Sequence, residues 1–244
     1  MLLYGMRFVL LLLVIALTAG AGVRSSGQCV VPQGLEKRQE PGPWEGEIAA
    51  FEAADRLKPP PKGAVLFVGG SSIRMWPNLE ANFPGATVIQ RGFGGGELSQ
   101  VVYYAPRIVL PYCPRLIVLY AGDNDVFVGK SPEQVLEYYK KFVSLVRESM
   151  PQTKIAFVAI KPSRSRWAVV DKMRAANDLV REYSSRDTKL AYVDVFTPML
   201  GATGVPRDSL YDADQLHLSA QGYALWRDLL APLIYSSAPG TNRK

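Results

Sequence analysis

Five short apolar runs recur along the chain with no polar residues alternating through them: AVLFVG (64–69), TVIQ (87–90), LIVLYAG (116–122), KIAFVAI (154–160) and LAYVDV (190–195). A strand with one wet face alternates apolar and polar positions, so unbroken runs predict strands covered on both faces, as in a parallel sheet. Helical patterns lie between or after them: LSQVVYYAPRIV, SPEQVLEYYKKFVSLVRESM, WAVVDKMRAANDLVREYSSR and SAQGYALWRDLLAPLIY. Ahead of them, EGEIAAFEAADRL puts Ile48, Phe51 and Ala54 on one side with Ala50 or Leu57, and the prolines at 59–61 end it. Ser131-Pro132-Glu133 reads as a helix start, with a hydroxyl at the cap, proline in the first turn and an acid beside it. Strands alternating with helices, joined by right-handed crossovers, predict a three-layer α/β/α sandwich around a parallel sheet of about five strands.

In open sheets of this kind ligands bind beyond the carboxyl ends of the strands. The loops to inspect are therefore GGSSI after the first run, RGFGGGE after the second, GDND after the third, and YDADQLHLSAQG before the last helix. Glycine and serine are ordinary residues for leaving a strand and capping a helix. A serine there can also be a nucleophile, if a base stands near it. The chain has a single histidine, His217, and Asp214 lies three residues before it. On a helical turn that spacing puts both on one side, so the carboxylate can fix the ring's tautomer. A lone histidine also fits a surface or cap role. Ser71, His217 and Asp214 together would supply nucleophile, general base and base-orienter. Gly94 and Gly95 can bring a backbone N–H close to a substrate, and Asn124 offers a side-chain amide, so both loops hold candidate oxyanion donors.

Other phosphate and nucleophile motifs fail. Gly92, Gly94 and Gly95 suggest a dinucleotide loop, but position 97 is Glu; a nucleophile elbow needs glycine where Ile73 stands; no Walker A motif occurs. No metal or organic cofactor is expected, because two isolated cysteines and one histidine form no ligand cluster.

In order, GGSSIRMW, RGFGGGELS, GDND and DADQLH resemble the blocks of the SGNH or GDSL-type hydrolase superfamily, over about residues 45 to 235. The resemblance implies a flavodoxin-like fold and ester hydrolysis by a Ser-His-Asp triad. It places the nucleophile at Ser71, the oxyanion donors at Ser71, Gly95 and Asn124, and the remaining triad members at Asp214 and His217. Register against the first block favours Ser71 over the adjoining Ser72. Gly70 departs from the family's usual aspartate. The resemblance further implies short acyl groups, acetyl above all, on a small-molecule or carbohydrate ester. An acyltransferase on the same scaffold and a non-catalytic carbohydrate- or surface-binding module are the alternatives. Arg74, Trp76 and Lys161 are candidate pocket residues; for Trp76 core packing is the competing role, and for Lys161 and Ser163 a plain loop.

The N-terminus changes the setting. Arg7 precedes an apolar run at 8–19, and Ala19 and Ala21 form a small-residue A-x-A pattern. That is the layout of a secretory signal peptide, and the run is short for a membrane span of about 20 residues. The expected organisation is a signal peptide at 1–21, an extension at 22–44, a hydrolase domain at 45–235 and a disordered tail at 236–244. The protein is then secreted or periplasmic, and meets the membrane only through an uncleaved signal. In an oxidising compartment Cys29 and Cys113 are candidates for one disulfide, with two free thiols as the alternative. The formal net charge of +6 is spread without a dense basic stripe, which argues against nucleic-acid binding.

Overall fold

The computed structural model describes Cys29 and residues 42–236. The expected signal peptide lies outside the described residues, as does the tail beyond Ser236. Elements follow in the order α1 (Glu45–Leu57), β1 (Val65–Gly69), α2 (Ser71–Arg74), α3 (Leu79–Asn82), β2 (Val88–Gly92), α4 (Leu98–Ile108), β3 (Leu116–Tyr120), α5 (Asp123–Phe127), α6 (Pro132–Ser149), β4 (Lys154–Val158), α7 (Val170–Ser184), β5 (Leu190–Val193) and α8 (Ala220–Ser236). The five strands form one sheet in the order β2-β1-β3-β4-β5, and every neighbouring pair is parallel.

This order explains which helix covers which face. The chain steps from β1 to β2 in one direction, then crosses back over β1 to β3 and continues outward. Crossovers of one hand taken in opposite directions put their helices on opposite faces. Alternate strand residues divide accordingly. Leu66, Val68, Ile117, Leu119, Ile155 and Phe157 join Ile48, Leu98, Phe142 and Met173, from α1, α4, α6 and α7. Val65, Phe67, Val118, Tyr120 and Val158 face the other way, onto Trp76, Leu79, Trp226 and Leu230. Successive side chains on a strand point to opposite faces, so a run apolar throughout needs both covers.

Three strands stop short of their apolar runs. Ala121, Ala159, Ile160 and Val195 are fully buried yet lie past the last ladder residue. Hydropathy reports burial rather than pairing, and these residues carry the core outward beneath the functional loops. The start of α6 follows its sequence signal: Ser131 Oγ accepts from Gln134 N, Gln134 Oε1 accepts from Ser131 N, and Pro132 opens the helix. Trp167 and the two residues after it belong to a short 3₁₀ turn (Arg164–Val169) rather than to α7. Helix α8 includes Ser236, one residue into the stretch expected to be disordered.

Cys29 and Cys113 are joined by a disulfide across 84 residues of sequence. It ties the segment before α1 to the turn leading into β3, at the amino ends of the strands. Closing so long a loop restricts the unfolded chain, and such bonds are typically worth about 2–4 kcal/mol. Reduction, or Cys113→Ser, is expected to lower the thermal midpoint by about 5–10 °C for a domain of this size, read by calorimetry with and without reductant.

Candidate active site

The carboxyl ends of β1 and β3 meet at the point where the strand order reverses, where open α/β sheets bind ligands. The backbones are pressed together there. Gly69 has φ +141°, and a Cβ on it would lie 1.8 Å from the Tyr120 carbonyl oxygen. Any other residue at 69 would force β1 and β3 apart. The next residue, Gly70, donates its N–H to the same carbonyl at 3.0 Å, and Ser71 then opens α2. The first N–H groups of a helix have no intrahelical acceptor, so the Ser71 N–H is available beside its own hydroxyl.

Ser71 Oγ lies 3.0 Å from His217 Nε2, and His217 Nδ1 lies 2.5 Å from Asp214 Oδ2. With Nδ1–H donated to the carboxylate, Nε2 is the acceptor for the serine proton. Asp214 and His217 do not sit on a helical turn. Gln215 between them has φ +54°, and the Asp214 carboxylate caps the turn itself, with Oδ1 accepting from the Leu216 and His217 N–H groups at 2.9 Å each. The three-residue spacing therefore works through an aspartate-capped turn. Partial burial raises the Asp214 pKa, but hydrogen bonds from the His217 ring and from these backbone groups outweigh it and hold the carboxyl at about 2.

The second loop comes alongside Gly70, where a Cβ would lie 3.2 Å from the Gly96 carbonyl oxygen. Gly95 has φ +65°, and a Cβ on it would press on the Trp44 ring at 3.2 Å. Among the described residues the Gly95 N–H meets no acceptor, whereas the Gly94 N–H donates to Glu47 of α1 at 3.3 Å. Trp44 is fixed in turn, its Nε1 donating to Gln100 at 2.7 Å and its ring packing against Phe93.

The third loop gives three consecutive residues three different tasks. Asp125 is fully buried and accepts from Leu98 N, at the start of α4, and from Lys130. Asp123, also buried, faces Lys161 at 3.1 Å and Arg166 at 3.3 Å. Burial alone would raise the Asp123 pKa; the two cations reverse that and hold it below the ordinary carboxylate value. Asn124 between them donates from Nδ2 to Gly96 O at 3.2 Å and accepts at Oδ1 from Arg166 Nη2 at 2.8 Å. Its Nδ2 stands 3.5 Å from the position of a Cβ on Gly70, next to Ser71.

Two candidate pocket residues are placed elsewhere by the structure. Trp76 is only 2% exposed and packs with Phe67, Phe83, Tyr223 and Trp226, so it is core. Lys161 is 1% exposed and lies under the Asn124 loop, bonded to Tyr120 Oη and Asp123, instead of at a pocket mouth. Arg74 is half exposed and turns toward α1, against Glu47 and Gly94, where it lines a hollow with Phe51 and Gln90. Arg166 was not singled out by the sequence. Its only signal there is its place in a basic loop, at the same end of the sheet as GDND. Among the described residues no group of His, Cys, Asp and Glu could hold a metal ion, and no helix is long and apolar enough to cross a membrane.

A sequence model of the GDSL-like lipase/acylhydrolase family matches residues 48–225. Solved structures similar to this chain include a protein named as a platelet activating factor from Streptococcus pneumonia, with 22% identity over 79% of this chain and 92% of that one, at a TM-score of 0.71. A protein named as an acylhydrolase from Bacteroides fragilis is 21% identical over 78% of this chain and 96% of that one, at 0.68. A GDSL-like lipase from Bacteroides thetaiotaomicron is 19% identical over 78% and 98%, also at 0.68. At these identities the likeness speaks for the fold. A comparison with curated proteins gives no match.

The depressed Asp214 pKa has a consequence for stability. A folded value of about 2 lies below the roughly 3.9 of an unfolded aspartate. The stabilisation is therefore complete above about pH 4 and is lost as pH falls through about 2. Wild type is expected to exceed Asp214→Asn in thermal midpoint at pH 6, with the gap closing between about pH 4 and 2 in an unfolding series.

Proposed function

Since the chain belongs to the GDSL-like lipase/acylhydrolase family, we propose that it is an exported serine esterase that cleaves short-chain acyl esters. The observation that carries the chemistry is the hydrogen-bonded relay Asp214–His217–Ser71, at 2.5 Å and 3.0 Å. Ser71 Oγ attacks the ester carbonyl carbon and its proton passes to His217 Nε2, while Asp214 holds the ring and balances its charge. The tetrahedral oxyanion is received by the Ser71 N–H, the Gly95 N–H and the Asn124 amide. Collapse expels the alcohol, which takes the proton from His217. Water, deprotonated by His217, then attacks the acyl-serine; collapse breaks the bond to Ser71 Oγ, which takes the proton back from His217, and the acid leaves. These steps call for no metal or organic cofactor.

The acyl preference we assign is acetyl over longer chains, with a small-molecule or carbohydrate alcohol. It rests on the likeness of GGSSIRMW and the later blocks to those of the SGNH or GDSL-type hydrolases. Export rests on the leader pattern at the N-terminus and agrees with the Cys29–Cys113 disulfide, since such bonds persist in oxidising compartments.

The test is hydrolysis of p-nitrophenyl acetate and butyrate by the mature protein and its variants. Ser71→Ala and His217→Ala are expected to lose about 10³-fold or more in kcat, and Asn124→Ala about 10²–10³-fold. Ser72→Ala is expected to stay active, and acetate to exceed butyrate. A wild type without turnover, or a Ser71→Ala variant that matches it, overturns the esterase reading. Acyl transfer to an added sugar in preference to water would move the assignment to an acyltransferase.

A further inference from the structure

Beneath the Asn124 loop lies a group of charges that the esterase steps do not use. Arg166 donates from Nη2 to Asn124 Oδ1 at 2.8 Å, while its Nη1 lies 3.3 Å from Asp123 Oδ2. The guanidinium is itself immobilised: its side chain is 10% exposed and it stacks over the Phe127 ring at 4.5 Å. Lys161 faces the same Asp123 oxygen at 3.1 Å. Two cations thus share one carboxylate, and the second polar atom on the Arg166 fork has no hydrogen-bond partner among the described residues.

These contacts constrain the Asn124 amide in both senses. Only its oxygen can accept from a guanidinium, and only its NH₂ can donate to the Gly96 carbonyl. A flipped amide would set NH₂ against the guanidinium donors and oxygen against a carbonyl. The two contacts therefore lock nitrogen on the Gly70–Ser71 side. One Nδ2 hydrogen goes to Gly96 O at 3.2 Å, and the second remains for a ligand. A cation bonded to the amide oxygen also polarises the N–H bonds, because hydrogen bonds in series strengthen one another in a site of low dielectric.

We propose that Arg166 is a positioning residue for ester hydrolysis, which orients the Asn124 amide so that its free N–H faces the oxyanion. The proposal rests on the hydrolase reading above. Arg166 acts through Asn124 and touches no reacting atom. Its contribution belongs to the transition state, where the oxyanion exists, and hardly to the ground state. An interaction of that kind raises kcat without lowering KM.

The experiment is a double-mutant cycle of Arg166→Met and Asn124→Ala, with kcat and KM measured separately on p-nitrophenyl acetate. Removing a whole oxyanion donor costs about 10²–10³-fold, so disorienting one is expected to lower kcat by about 10–100-fold, with KM within about twofold of wild type. In the Asn124→Ala background the same arginine change is expected to cost less than about threefold, because the group it positions is gone. Arg166→Lys keeps the charge but loses the planar fork, and it is expected to lose kcat as well; it is read by the same cycle if Arg166→Met does not fold. Additive losses, a raised KM, or kcat within about twofold of wild type in the folded variant would overturn the proposal. An inactive wild type overturns the hydrolase reading itself, whereas an active wild type matched by its Arg166 variant overturns only this inference.

Discussion

The candidate site depends on one backbone contact, the seating of Gly69 against the Tyr120 carbonyl with no room for a Cβ. That carbonyl accepts from Gly70 N, and the Gly69 carbonyl accepts from Phe93 N, each at 3.0 Å. The exits of β1, β2 and β3 are thereby laced together at consecutive peptides. Ser71, Gly95 and Asn124 each leave from this knot within a few residues, so their relative positions are set by backbone hydrogen bonds rather than by long side chains. A shift of one strand would move all three loops. Preorganised donors stabilise charge because they need not reorganise when it appears, and loops held at their roots meet that requirement.

Placing a DND sequence in a buried loop would otherwise be unfavourable, since an ionised carboxylate without partners costs several kcal/mol to bury. Each acid here has its own partners. Asp125 spends its charge on the Leu98 N–H and on Lys130, fixing α4 relative to the loop. Asp123 is matched by Lys161 and Arg166, from the chain after β4. The loop is held from the α4 side by one aspartate and from the β4 side by the other. Asn124, the neutral residue between them, is the one whose amide stands beside Ser71. Burial pushes the Lys161 pKa down, and the adjacent Asp123 opposes that, so the cluster couples the charge state of the loop to its packing.

Much of this was legible in the sequence, for physical reasons that differ by element. The strands announced themselves because a parallel sheet buried on both faces leaves no polar alternation, as in Val65–Gly69 and Leu116–Tyr120. The end of the sheet bearing the loops followed from the topology alone. His217 could be singled out because it is the chain's only histidine, and Asp214 because of its spacing. The spacing does not reveal the geometry joining them, since a capped turn with Gln215 at positive φ gives the same proximity as a helical turn. Trp76 and Lys161 were harder. A residue type and a place near a loop do not say which way a side chain turns, and both turn inward. Arg166 was invisible for a related reason: in RSRW one arginine pairs with Asp208 near solvent and the other is buried against Asn124, a distinction made only by the packing of Phe127 and Asp123.

The same geometry bears on Gly70, where the resembling family usually has aspartate. A Cβ at that position would lie 3.2 Å from Gly96 O and 3.5 Å from Asn124 Nδ2. A side chain there would grow toward a carbonyl and toward the amide, between the loops after β1, β2 and β3. With glycine the gap is closed by direct contact, Asn124 Nδ2 to Gly96 O, and the amide is anchored from its far side by Arg166. The glycine loop is anchored from outside as well, by Glu47 on the Gly94 N–H and Trp44 against Gly95. Steadying contacts that a central carboxylate could make are here distributed to α1 on one flank and the loop after β4 on the other. The serine loop needs no side chain at position 70 to stay in place, because Gly70 is held through its own N–H by the Tyr120 carbonyl.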